Sequence, residues 1–264
     1  MTRPHRRRAE TPAFLRAVAA PHDERRHAIS FVLPAFNEEG NVTAAIESVV
    51  RVATRHCSAF EVIVVDDGSS DATPELVAAA AARHPEVRLV RHGYNRGYGE
   101  ALRSGFGRAS LDHVFFTDAD NQFDLDELAR LLPWADHADV VAGFRDRRCD
   151  PLGRRVNGWL WNRLVRVLFY VPVRDIDCAF KLFRRAAIDD LDIESVGAMV
   201  NTELMVKLGR NGRTVVEVGV THLPRTTGVA RGAKLRVIGR ALIELTRMYS
   251  RLEKLGPGPA PPPL

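Results

Sequence analysis

Three cysteines in 264 residues, Cys57, Cys149 and Cys178, are odd in number and spaced like neither a disulfide framework nor a zinc-binding set. They suit a reducing cytoplasm. No apolar run approaches the roughly 20 residues that a membrane-crossing helix needs. The Arg-rich start runs into Ala-Glu-Thr-Pro at 9–12 rather than an apolar stretch, so neither a spanning helix nor a signal peptide is expected. No internal repeat is visible. Residues 1–27 lack hydrophobic periodicity, and GPGPAPPPL at 256–264 can form neither helix nor sheet. Both ends, 1–27 and 255–264, are therefore expected to be disordered, flanking one domain at 28–254.

What the chain does have is a 45% hydrophobic composition, enough to bury one substantial core, and an uneven distribution of charge. The net charge is +5, yet residues 1–27 hold seven Arg against Glu10, Asp23 and Glu24. Seven Arg face two Asp over 144–166, and eight Lys or Arg face Glu244 and Glu253 over 225–254. Two late basic segments of this kind suit an anionic partner: phosphates, anionic lipid headgroups or nucleic acid.

Apolar runs alternate with helical periodicity along the first half of the chain. Strands are expected at 28–33, 60–65, 87–92, 114–117 and 140–143, with helices at 41–55, 71–83, 99–108 and 125–135. This regular alternation implies an α/β fold with a mostly parallel central sheet and helices on both faces. Further on, an amphipathic helix is expected at 159–170, a strand at 215–220, and a basic amphipathic helix at 235–252.

Each early strand stops at a polar cluster: Pro34-Ala-Phe-Asn-Glu-Glu, Asp66-Asp-Gly-Ser-Ser-Asp, Tyr94-Asn-Arg-Gly-Tyr-Gly and Asp118-Ala-Asp-Asn-Gln. Any one of these is ordinary turn chemistry. Together they line the carboxyl edge of one sheet, where open α/β sheets bind ligands. Carboxylates one residue apart at such an edge, Asp118 and Asp120, can share a hard divalent cation, which can in turn hold a diphosphate.

These motifs, LPAFNEE at 33–39, VIVVDDGSSDAT at 62–73, NRGYGEAL at 95–102, TDADNQF at 117–123 and DCAFKLFRR at 177–185, resemble in order those of the inverting family 2 glycosyltransferases. Within that family, Gln122, GFR at 143–145 and EVGVTHLPR at 217–225 resemble the polyprenyl-phosphate sugar synthases, of which dolichol-phosphate mannose synthase is one type. The resemblance implies a GT-A-type fold. It further implies that Pro34, Phe36 and Glu38 line the base and ribose, although the synthases usually carry Tyr where Phe36 stands. Asp66 would read a base N–H, beside Asp67, and Gly97 and Ala119 would complete the donor set. A carboxylate only accepts, so Asp66 suits guanine and uracil alike. Asp118, Asp120 and Gln122 would hold Mg2+ or Mn2+. Arg145, Arg225 and either Arg231 or Lys234 would grip phosphates, the spacing from Arg225 to Lys234 being longer than is usual in the family.

The implied reaction moves one sugar with inversion onto a polyprenyl phosphate. The donor is GDP-mannose in the first reading, and UDP-glucose or another UDP-sugar in the second, with a lipid phosphate or polysaccharide acceptor. A phosphate acceptor is already anionic and needs positioning rather than a strong base. A hydroxyl acceptor would need a carboxylate, Asp177 or its neighbour Asp175. Trp159, Trp161, Phe169 and Tyr170, with Arg154, Arg155, Arg163 and Arg166, suit a helix (about 154–171) lying in a membrane interface. The expected place is the cytoplasmic face of the cell membrane, held peripherally or through a membrane-protein partner. Nucleic-acid binding is the distant alternative: no recognised binding motif is present, and acidic strand ends repel phosphate unless a metal intervenes.

Overall fold

The computed structural model describes residues 14–16, 27–147, 152–169, 171, 173–225 and 235–254. Its eight strands are β1 (Phe14–Arg16), β2 (His27–Ala35), β3 (Cys57–Asp66), β4 (Val87–Arg91), β5 (His113–Thr117), β6 (Val140–Arg147), β7 (Phe180–Arg184) and β8 (Val215–Thr221). The helices are α1 (Val42–His56), α2 (Thr73–Arg83), α3 (Tyr98–Phe106), α4 (Leu128–Leu131), α5 (Leu152–Phe169), α6 (Arg185–Ile188), α7 (Val200–Arg210) and α8 (Leu235–Lys254). Ile29, Phe31, Val32 and Leu33 of β2 and Val62 to Val65 of β3 are all buried, as continuous apolar runs must be when helices cover both faces of a sheet. On α1 the buried residues Val42, Ile46, Val49 and Ala53 recur at helical spacing.

The strand order is β1-β8-β6-β7-β5-β2-β3-β4, parallel throughout except for β7, which runs antiparallel to both β5 and β6. From β2 the chain steps outward to β3 and β4, then returns to lay β5 on the other side of β2. The topological switch point, where α/β sheets bind ligands, therefore lies between the carboxyl ends of β2 and β5. Because β7 is reversed, its beginning meets that edge: Phe180 pairs with Thr117. β6 and β8 deliver Arg145 and Thr221 to the same side. The core beneath is aromatic, with Phe115 edge-on to Phe31 and to Phe180.

Several sequence expectations need correction. Phe14–Arg16, inside the stretch expected to be disordered, pairs with Val215–Glu217 at the sheet edge, and β2 already begins at His27. A lone three-residue run carries no periodic signal, so only its partner strand reveals it. Residues 125–135 are not one helix but a 3-10 turn (Leu125–Glu127), the single turn α4 and a second 3-10 turn (Leu132–Trp134). Pro133 has no N–H to donate to the carbonyl four residues back, so the α-helical ladder is interrupted there. β6 extends four residues beyond its expected end, and β7 and α7 were not anticipated. α7 buries Val200 through Val206 almost without a polar face, and so has no amphipathic stripe to read.

Candidate active site

β5 ends at Thr117, and the chain turns through Asp118 to Gln122. Asn121 takes a left-handed conformation, φ 58°, that Asn tolerates better than most residues, and its Nδ2 donates to the Asn41 carbonyl, 3.0 Å. The turn is thus fixed to the start of α1. Asp118 accepts a hydrogen bond from the Tyr98 hydroxyl, 2.8 Å, and its carboxyl is raised to about 7 by burial and by the neighbouring Asp120. Burial raises Asp120 as well, against a hydrogen bond from the Gln122 N–H and the charge of Arg225. Glu38 pushes both groups in the same direction. Three carboxylates crowded at one sheet edge form an all-oxygen set suited to a hard divalent cation.

Gln122 donates its Nε2 to the Leu223 carbonyl, 3.3 Å, while Leu223 N donates to the Gln122 carbonyl, 2.8 Å. These bonds tie the segment after β8 to the carboxylate loop and bring in Arg225. Its guanidinium pairs with Glu38 and stands 3.4 Å from Asp120. Arg225 is thus a counter-cation of the carboxylates. Lys181 serves as another from below: completely buried in β7, it lowers the Asp118 carboxyl and donates to the carbonyls of Ile176 and Cys178.

At the carboxyl ends of the next two strands, Pro34 and Ala35 close β2, and Phe36 is half-buried. Asn37 N donates to Ser69 Oγ, Ser70 N to Asn37 Oδ1, and Glu38 N to Thr73 Oγ1. The two strand-end loops are laced into one rim. Asp66 is fully buried; its Oδ1 accepts from Ser69 N, its Oδ2 accepts no hydrogen bond among the described residues, and Arg91 Nε lies 3.7 Å away. An open acceptor in a rim of this kind is what a base N–H would fill.

Two residues expected at the donor have partners within the protein. Asp67 accepts from Arg96 N, Gly97 N and His92 Nδ1, at 2.9, 2.8 and 2.7 Å, so its carboxylate organises the loop before α3. Gly97 supports that loop by conformation: its φ is +104°, and a Cβ would lie 2.2 Å from the Val196 carbonyl oxygen. Arg145 is held in an ion pair. Its Nε and Nη2 bond Asp175 Oδ2 and Oδ1, 2.6 and 2.8 Å, a bidentate and nearly buried pair that raises the guanidinium. Of the two carboxylates considered as bases, Asp175 is committed to this pair. Asp177, half-buried, bears electrostatically on Arg145 and Lys181.

Ala119 is buried between Asp118 and Asp120. Arg231 and Lys234 lie outside the described residues. Sequence reasoning missed Tyr98 and Lys181. Tyr98 sits between the two glycines of NRGYGEAL, where a bulky residue stands out, and Lys181 is a charge inside an apolar strand.

Beside Arg145, a cavity of about 210 Å³ is lined by Phe144, Trp159 and Asn162 and by Arg163, Arg166 and Arg174. Arg174 lies over the Phe144 ring, 4.5 Å from its centroid. On α5, Trp161, Val165, Leu168 and Phe169 pack on the core, whereas Trp159, Leu160 and Val167 are more than half exposed.

The sequence profile of glycosyl transferase family 2 matches residues 30–192. An undecaprenyl-phosphate 4-deoxy-4-formamido-L-arabinose transferase from Pectobacterium carotovorum subsp. carotovorum (strain PC1) is 31% identical over 80% of this chain, which spans 64% of that relative's length. Among solved structures, mannosyl-3-phosphoglycerate synthase from Rubrobacter xylanophilus superposes with a TM-score of 0.66 at 20% identity, over 87% of this chain and 75% of that one. Glucosyl-3-phosphoglycerate synthase from Mycobacterium tuberculosis, in complex with Mn2+ and UDP-glucose, gives 0.63 at 24%, over 85% and 79%. These likenesses bear out the GT-A-type fold. With the family profile matching more than half of its residues, the chain belongs to the family 2 glycosyltransferases.

Proposed function

We propose that the chain transfers one sugar, with inversion, from a nucleotide diphosphate to a polyprenyl phosphate at a membrane surface, with mannose from GDP-mannose as the leading donor. The observation that carries the acceptor assignment is the cavity of Arg163, Arg166, Arg174 and Trp159 at the same sheet edge as Asp118 and Asp120. A lipid phosphate needs cations for its headgroup and an apolar surface for its chain, and α5 presents both. The Pectobacterium relative, named for an undecaprenyl-phosphate acceptor, supports this reading.

Asp118, Asp120 and Gln122 fit Mg2+ or Mn2+; the Mycobacterium neighbour holds Mn2+ with its UDP-glucose. Bound there, such an ion would offset the charge gathering on the departing diphosphate. The protein's own part is positional. Asp66 accepts a base N–H, Arg225 adds positive charge beside the diphosphate, and the arginine cavity aims the acceptor phosphate at the opposite face of the sugar. An acceptor phosphate oxygen forms the new bond to the anomeric carbon as the bond to the diphosphate oxygen breaks, which inverts that carbon and leaves no proton to be removed.

Asp66 accepts from guanine and uracil alike, so the choice between GDP-mannose and a UDP-sugar rests on assay. Incubating the protein with Mn2+, polyprenyl phosphate in vesicles and a panel of labelled sugar nucleotides should give a mild-acid-labile lipid product with one donor. Absence of lipid-linked product with every donor would overturn the acceptor assignment, whereas transfer to a soluble hydroxyl acceptor would shift attention to Asp177 as base.

A further inference from the structure

We propose that His27, His113 and Asp136 form a second metal site, for a divalent transition cation of the zinc class, at the sheet edge opposite Asp118 and Asp120. β2 and β5 are parallel neighbours, with Ile29 paired to His113, so the two histidines meet where both strands begin. Their rings are edge to face with centroids 5.0 Å apart. The side chain of Asp136, in the turn after Trp134, brings Oδ1 to 4.0 Å from His27 Nδ1. One ligand atom from each of the three residues lies within 4.8 Å of the other two.

The hydrogen-bond inventory gives the second, independent sign. His27 and His113 are more than nine-tenths buried, yet His27 Nε2 has no hydrogen-bond partner among the described residues, and the ring nitrogens of His113 reach none in good geometry, the backbone of Ala135 being their nearest polar support. Leaving buried polar atoms unsatisfied is costly, so clusters of them are rare without an ordered water or ion. Two imidazoles and a carboxylate are a donor set that zinc accepts, with a fourth position left for water. The set differs in kind from the all-oxygen group at Asp118 and Asp120, which suits magnesium or manganese.

Arg184 lies nearby and opposes a cation electrostatically, but its side chain donates to the backbone carbonyls of Ala135 and Asp136 and so fixes the turn that presents Asp136. The Asp136 side chain is 32% exposed, which gives an ion a route in from solvent. From His113 to Asp118 the chain runs the length of β5, about 16 Å at 3.3 Å per residue, so this ion would not take part in transfer. Its role is to staple β2, β5 and the turn after Trp134 together.

The test uses the full chain, stripped with EDTA and then titrated with Co2+ and Zn2+. An Asp118→Asn/Asp120→Asn double variant should still bind one equivalent, show the visible absorption of four-coordinate Co2+, and melt at higher temperature with Zn2+. Adding Asp136→Asn or His113→Gln to that double variant should remove all three signals. If His113→Gln fails to fold, Asp136→Asn, altered at a partly exposed side chain, still decides. The proposal is overturned if the double variant binds neither ion, or if adding Asp136→Asn to it leaves its binding unchanged.

Discussion

Arg225 stands 3.4 Å from the Asp120 carboxylate while pairing with Glu38 at the other side of its guanidinium. A cation beside a carboxylate that would hold a metal does two opposed things: it relieves the crowding of negative charge and competes with the incoming ion. For Arg225→Ala, transfer at saturating donor should fall about 100-fold, the scale of losing one electrostatic donor to a developing negative charge. The Mn2+ concentration for half-maximal rate should fall too, because a competing positive charge is gone. Initial rates over a Mn2+ series check both. A rise in the Mn2+ requirement would mean that Arg225 orders the carboxylates for the ion.

Asp120 carries less of the fold than its place suggests. Among the described residues its carboxylate accepts from Gln122 N at 3.1 Å and from Arg225 Nη1 at 3.4 Å. Asp120→Ala should abolish transfer while costing only about 1–2 kcal/mol of stability, the scale of one or two hydrogen bonds. Product formation and a thermal melt, measured side by side, separate the two effects. Retained transfer would remove Asp120 from the metal set.

The reverse holds for Asp175. With Arg145 it forms a bidentate pair that is largely buried, and truncating it removes the guanidinium's two-pronged partner. Asp175→Ala should therefore destabilise by about 3–5 kcal/mol. Urea unfolding with an unchanged m-value measures it, and a loss under 1 kcal/mol would show that solvent already screens the pair.

How far the site could be read from sequence follows from which contacts are local. Asp118, Asp120 and Gln122 share one turn, and Pro34, Glu38 and Asp66 end adjacent strands, so a strand-end argument places them together. Strands this apolar could hardly be read otherwise. The loop-ordering part of Asp67 is not local: its partners, the N–H groups of Arg96 and Gly97, lie about 30 residues onward. Lys181 and β7 were passed over because their meaning is a pairing: only the antiparallel register against β5 brings this lysine beneath Asp118. The His27–His113 contact is hidden for the same reason.

Glu217 gives a pH dependence away from the carboxylate pair. Burial raises its carboxyl above the usual value, even though it accepts a hydrogen bond from Arg174 N. The folded chain thus holds this proton more tightly than the unfolded chain does. The associated stability is full below the unfolded pKa and is lost as pH rises through the folded one. Glu217→Gln, which stays neutral, should melt higher than the unmutated protein at pH 8 and gain nothing near pH 4. For a domain of this size each kcal/mol reads as about 2–4 °C in Tm. An equal gain at both pH values would point to packing instead of charge.

The outward face of α5 separates lipid contact from donor chemistry. Leu160 and Val167 are 53% and 60% exposed, and neither lines the arginine cavity. Burying each side chain in a membrane interface contributes about 1–2 kcal/mol by the apolar area removed from water. A Leu160→Ser/Val167→Ser double variant should bind vesicles about 30-fold more weakly and make correspondingly less lipid-linked sugar at limiting lipid. Metal-dependent hydrolysis of the donor in the absence of lipid should be unchanged, because neither residue reaches the carboxylate loop. Vesicle sedimentation with parallel donor-hydrolysis assays reads the two separately. Unchanged sedimentation would show that α5 covers a protein partner or nothing at all, and would move the membrane contact to another surface.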